Sequence, residues 1–289
     1  MGFYSRLSFI LFGPISETIA YYLTDLKSDL KKSKIKVSAQ EYISKTLLKS
    51  FLIFLIILPA LSFILAYLVQ EFLFAFITSV TISLIISMAT FTFVINYPKF
   101  VMQSKAKKID NNLPFASIYL STVAGSRLPL HKAFEIFSKF SGYGEVAKET
   151  AEMVNDIKAF GLDLDTAIER QMERTPSKKL TELLWGILSV FRAGGDLNIY
   201  LREKSATFMA EYRRRIYEFS HTLTIYIELY LTSVVLGTIF FTILTAIIAG
   251  IGGAQGNVIF LQFFLIFILL PLISVAFIFL IRTSTPGGE

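Results

Sequence analysis

The glycine-flanked carboxylate of Gly194-Gly195-Asp196 is the arrangement in this sequence that comes nearest to paired-aspartate hydrolysis. That chemistry needs a second carboxylate at the same depth, so that one acid and one base share a proton. No such partner exists in the apolar segments. Residues 50–98 hold one acidic residue, Glu71, and residues 216–281 hold only Glu218 and Glu228. A Gly followed closely by Asp and an apolar residue has a simpler use: it ends one helix and caps the next by accepting a backbone N–H. The two histidines, His131 and His221, lie far apart in sequence and have no triad or metal partners in view. There is no cysteine, which removes thiolate catalysis, disulfides and cysteine-held clusters. No Gly-x-x-x-x-Gly-Lys-Ser/Thr run occurs, so a phosphate-binding loop is excluded too. These residues predict a protein that is not an enzyme and needs no cofactor or metal.

The placement of charge is more informative. Of 289 residues, 54% are hydrophobic, yet all 28 Lys and Arg avoid two blocks, 50–98 and 216–281. A bilayer core about 30 Å thick takes roughly 20 apolar residues in a helix. Each block therefore holds two spans. The first pair is expected near 48–69 and 72–97, split at Gln70-Glu71, and the second near 222–249 and 258–281, split by the Gly-rich run 250–257. Gly252 and Gly256 form a GxxxG within that loop and carry little weight there. Eight basic residues precede the first pair, nineteen lie in 99–218, and the two short loops hold none. By the positive-inside bias, both termini and the central segment face the cytoplasm of a multi-pass cell-membrane protein. The net charge of +6 then reflects anionic lipid rather than nucleic acid. Leu7–Phe12 is too short for a secretory signal, and residues 3–23 read as an interfacial or docking helix, with a cleaved leader as the alternative.

The resulting organisation is an amphipathic N-terminal segment over 1–46, spans over 47–98, a cytoplasmic helical domain over 99–218, spans over 219–282 and a tail over 283–289. The central segment has helical periodicity and no sustained alternation. Gly125, the Ser141–Gly144 turn, Gly161, Thr175-Pro176 and Gly194-Gly195 divide it into about six helices, near 112–124, 129–140, 145–160, 164–173, 177–193 and 197 onward. A phrase recurs at Leu130, Leu164 and Leu197. In it Gly161 and Gly194 end helices, while Asp163 and Asp196 cap the following ones. A tetratricopeptide array of similar period lacks its Trp and Gly-Tyr positions here, so helical hairpins closing into a bundle fit better. From Leu197 no Gly or Pro interrupts the pattern before Gly237, so the last cytoplasmic helix should pass straight into the third span. Ser38-Ala-Gln-Glu41 is a capping box whose helix should run into the first span.

Taken in order, Leu113-Pro114 opening a helix, Ala124-Gly125 with Leu130-x-x-Ala133, Gly161-x-Asp-Leu164-x-x-Ala167 and Ala193-Gly-Gly-Asp-Leu197 resemble the type II secretion system F-domain family. The resemblance covers about residues 105–240, and Ser38–Ile43 resembles the segment before the first span in archaeal members. It implies an all-α, polytopic membrane protein with four transmembrane helices and a central cytoplasmic six-helix bundle. It also implies an assembly platform of type II secretion, type IV pili, Tad pili or archaella. Its partners would be a hexameric secretion ATPase, pilin-like subunits and membrane lipid. The chain has room for one F-type domain, which implies a homodimer or a second platform subunit.

Three sets of residues remain as contact candidates. Lys105, Lys107 and Lys108, with Arg213, Arg214 and Arg215, suit headgroups, each contributing about 1 kcal/mol near anionic lipid, or an acidic face of the ATPase. Glu228 lies thirteen residues beyond Arg215. It either sits at headgroup depth or meets a polar group of a partner helix inside the bilayer. The other reading of the chain is a small transporter or lipid-handling subunit. The scarcity of ionisable groups in the spans argues against ion or proton translocation.

Overall fold

The computed structural model describes residues 3–69, 71–126, 128–252, 260 and 262–284, and among these every regular element is a helix. Four of the helices are long and apolar enough to cross a membrane: Ala39–Leu68, Phe72–Ala124, Leu197–Ile251 and Gln262–Thr283. The protein is an all-helical, polytopic membrane protein. Gly256, residues 253–257 of the Gly-rich run and the last five residues of the tail lie outside the described residues. Its elements are α1 (Phe3–Tyr22), α2 (Thr24–Ser33), α3 (Ala39–Val69), α4 (Phe72–Ala124), α5 (Leu130–Ser138), α6 (Gly144–Phe160), α7 (Leu164–Arg174), α8 (Lys178–Arg192), α9 (Leu197–Leu231), α10 (Gly237–Gly252) and α11 (Leu270–Ser284). The chain forms two compact units, one of residues 1–113 with 122–200 and the other of 114–121 with 201–289.

In the first unit α1 lies along α3 through small hydroxylated residues, which let two helix backbones approach closely. Ser5, Ser8 and Ser16 are buried. The Ser44 hydroxyl donates to Ser16 Oγ at 2.8 Å, and Ser5 donates to Glu41 at 3.1 Å. The large apolar residues of α1 point the other way, with Ile10 78% exposed. Ser38 starts α3 by accepting from the Glu41 amide at 3.2 Å. Leu26 and Leu30 of α2 and Ile43 of α3 form a small core, with Ile19, Tyr42 and Ile95 packed against it. Tyr42 donates to the Val94 carbonyl at 2.7 Å, and Ser87 to the Ser50 carbonyl at 2.9 Å, tying the first two spans together.

Helices α5 to α8 fall within two residues of the ranges read from the sequence. Their core contains Phe134, Phe137, Val146, Met153, Ile168, Leu183 and Ile187, each at most 1% exposed. Burial of each such side chain stabilises the fold by about 1.5–3 kcal/mol. Phe160 and Phe191, which the periodicity places on these buried faces, are instead 68% and 43% exposed at the last turns of α6 and α8. A stripe loses its cover where the helix outruns its neighbour.

One expectation is corrected. Leu113-Pro114 does not open a helix, because α4 continues unbroken from Phe72 to Ala124 with Pro114 inside it. The second span and the first central helix are one rod. In the second unit, Phe115 of α4 meets the edge of Tyr212 of α9 at 5.2 Å between ring centroids. Helix α9 also runs on, but through a π-helical turn, Thr232–Leu236, before α10. A second π turn, Leu265–Leu269, precedes α11. The two turns border a cavity of about 110 Å³ lined by Ser233, Gly237, Thr238, Leu269 and Ile273. Tyr230 and Ser274 hydrogen-bond at 3.1 Å on one side of it, and Gln262 donates to Thr245 at 3.0 Å on the other. Polar pairs of this kind hold spans together where lipid gives no hydrophobic drive.

Candidate functional site

The recurring phrase marks helix starts: Leu130, Leu164 and Leu197 are the first residues of α5, α7 and α9. Gly161 ends α6 at φ 65° and Gly194 follows α8 at φ 66°, a left-handed conformation that a side chain disfavours. The Gly194 amide returns to the Phe191 carbonyl at 3.1 Å, and the Gly195 amide to Val190 at 2.9 Å. Asp163 accepts from the Thr166 amide at 3.0 Å. Hydrogen bonds from the Thr166 side chain and backbone hold its carboxyl below the usual range. Asp196 accepts from the Asn198 amide at 2.8 Å. Pro129, before Leu130, supplies no side-chain cap. Both aspartates thus accept hydrogen bonds from backbone amides at the start of the helix that follows.

The predicted basic residues have different surroundings. Lys105 donates to the Ser33 carbonyl at 2.9 Å, finishing the open end of α2, while Lys107 and Lys108 are exposed. Arg213 is exposed, Arg214 stands 3.6 Å from Glu218, and Arg215 lies over the Tyr212 ring at 6.0 Å. Glu228 is exposed on α9, two residues before Tyr230, which hydrogen-bonds to Ser274 of α11. His131 and His221 are exposed, and among the described residues no three His, Asp or Glu side chains are grouped to hold a metal.

Ion pairs that no local pattern announced tie the helices together. Glu135 of α5 meets Lys158 of α6 at 2.6 Å, in addition to the local i,i+3 partner Lys132 on its own helix at 3.1 Å, and those two hydrogen bonds pull its pKa down to about 2. Asp156 of α6 holds Arg174 of α7 at 2.8 Å. Arg192 of α8 reaches Asp165 at 2.9 Å and Glu169 at 2.7 Å on α7.

The densest cluster joins the N-terminal segment to α6 and α7. Lys34 meets Glu149 at 2.5 Å and Glu152 at 2.8 Å, and Lys31 meets Glu173 at 2.7 Å. The Glu149 side chain is 1% exposed and also accepts from Gln171 Nε2. Burial pushes the Glu149 carboxyl up, against the downward pull of Lys34. Burial alone would lower Lys34, but hydrogen bonds to Glu149 and Glu152 outweigh it and leave the ammonium raised. One signal for this cluster was present in the sequence. Glu149 falls between Val146 and Met153 on the apolar stripe of α6, where a carboxylate needs a partner.

Residues 116–245, from within α4 to within α10, match the family model described as "Type II secretion system (T2SS), protein F". An uncharacterized protein of Methanocaldococcus jannaschii is 31% identical over 134 residues, which is 46% of this chain and 22% of that protein. The chain thus spans about a fifth of that relative's length. No solved structure matches the chain. The match takes in all three repeated helix starts and the whole of α9, so just under half of this four-span helical chain is similar to type II secretion system protein F.

Proposed function

We propose that this protein is the membrane platform of a type IV filament or secretion machine of the Tad or archaellum kind, and that it couples a cytoplasmic secretion ATPase to the assembly of pilin-like subunits. The observation that carries the reading is the unbroken helical path from Leu197, at the third repeated helix start, to Ile251 in the third apolar span. At 1.5 Å per residue that path is roughly 80 Å long. Helix α4 is a second such rod.

In this reading residues 99–218 form a cytoplasmic six-helix bundle that rests on the ATPase, and both termini are cytoplasmic. Lys107, Lys108 and Arg213 are free to meet anionic headgroups or the motor. The spans receive pilin-like subunits, with Glu228 facing a polar group on one of them. The single F-type domain is completed by a second copy or a second platform subunit. The protein itself does no covalent chemistry.

Affinity capture of the tagged full chain from membranes should recover a secretion-type ATPase, and deletion of its gene should abolish filaments or secretion. Capture without an ATPase, together with normal filaments in the deletion strain, would sink the reading. Glu228→Gln should reduce assembly while membrane levels stay normal; unchanged assembly would remove Glu228 from the subunit contact.

A further inference from the structure

We infer that the N-terminal arm is a charge-held latch: Lys31 and Lys34 at the end of α2 pin it to α6 and α7 across a seam that opens without disturbing the apolar core beneath. The two sides of α2 are held by different forces. Its apolar side, Leu26 and Leu30, belongs to the core with Ile43 of α3. On the other side the contacts are ion pairs: Lys31 with Glu173 of α7 and Lys34 with Glu149 and Glu152 of α6. A groove of about 630 Å³ runs there, lined by Leu30 and Ile35 from the arm and by Ala151, Asn155 and Phe160 from α6. Phe160 is 68% exposed.

The backbone supports the same reading. Lys34 follows α2 at φ 62°, the one described non-glycine residue at positive φ. Glycine fits that helix end better. A lysine is explained by its ammonium, which fills the acidic pocket on α6. Opening the seam strips Glu149, 1% exposed at the side chain, of its cation. A buried carboxylate left with the Gln171 amide but no counter-ion is strongly disfavoured. The latch therefore rests closed, and it opens when another cation takes the place of Lys34. The latch stands apart from the platform reading; only the assembly measurement below rests on it.

The test uses the full chain in lipid nanodiscs, spin-labelled at Lys27→Cys and Ala159→Cys, in a protein with no cysteine of its own. Pulsed dipolar spectroscopy should give one α2–α6 distance. Lys34→Gly, which relaxes the helix end while deleting the ammonium, should add a longer and broader population, as should high salt. Amide exchange of α3 around Ile43 should stay as slow as in the parent. A single unchanged distance in Lys34→Gly overturns the latch, and so does loss of α3 protection alongside the longer distance, since the arm would then be part of one cooperative fold. In cells, bridging Lys31→Cys and Glu173→Cys with a reducible thiosulfonate crosslinker should stop filament assembly, and reduction should restore it. Full assembly by crosslinked protein would show that the seam stays shut during work. Normal filaments in the deletion strain would instead fault the platform reading, leaving the distance measurement to decide the latch.

Discussion

Ser177 and Asp110, 67 positions apart, share one hydroxyl between two tasks. Ser177 Oγ accepts from the Leu180 amide at 3.0 Å, which starts α8, and donates its proton to Asp110 of α4. The first bond shapes a helix locally. The second ties that helix to the long rod that leaves the second span.

Ser177→Ala removes both bonds. Loss of the cap and of the donor to a half-buried carboxylate should cost about 1–2 kcal/mol. Ser177→Thr, which keeps a hydroxyl, should recover most of it. Chemical denaturation of the purified chain, followed by helical circular dichroism, measures both. Equal loss in the two variants would show that the hydroxyl is not responsible.

Gly186 of α8 is a steric requirement. A Cβ there would overlap the ring of Tyr200, whose hydroxyl donates to the Leu183 carbonyl at 3.4 Å. The obstacle is a ring and not the end of a flexible chain. Gly186→Ala should destabilise by about 1–3 kcal/mol, the usual cost of overfilling a packed contact. Combined with Tyr200→Ala the two effects should fall well short of adding, because the second change removes the obstacle that makes the first harmful. Strict additivity would mean that the two residues do not meet.

Glu135 gives a dependence on acid. Its pKa stands at about 2 against an ordinary 4.5, because Lys158 and then Lys132 hydrogen-bond the charged carboxylate. A lowered pKa contributes stability above the ordinary value and loses it as protons are taken up. Stability should therefore fall as pH drops from about 4.5 towards 2. Glu135→Gln should flatten the curve in that window and leave it unchanged in shape near neutrality. A parallel curve for the variant would exclude this carboxylate as a source of acid sensitivity.

In the last membrane hairpin, Gln262→Leu deletes the donor to Thr245. Interhelical hydrogen bonds in spans average about 0.6 kcal/mol, so the hairpin should loosen only slightly. Steric trapping in bicelles resolves an effect of that size. A loss of several kcal/mol would assign Gln262 a larger part than one bond.

Much of the architecture was legible because it rests on local rules. Absent Lys and Arg marked the spans, and glycine followed by aspartate marked the starts of α7 and α9. What escaped was non-local or ran against a local rule. Pro114 lies within α4 although proline usually starts a helix. The partners of Glu149 and Asp110 lie far along the chain, and no periodicity names them. Glu149 announced only that it needed a partner. Lys105 looked like one more headgroup cation until the open end of α2 was seen to require a donor. The π turns left no mark at all, since neither Thr232–Leu236 nor Leu265–Leu269 contains Gly or Pro.

Those turns bear on what a neighbouring helix can touch. A π turn adds a residue to the cycle, and one residue is about 100° of helical rotation. The stripe that rises through His221, Thr224 and Glu228 therefore does not continue straight through Thr232 and Val235 into α10. Beyond the bulge its place is taken by positions one residue later. A straight helix laid along Glu228 meets two different phases of this rod, polar towards the α9 end and the wholly apolar Leu236, Ile239 and Phe240 beyond.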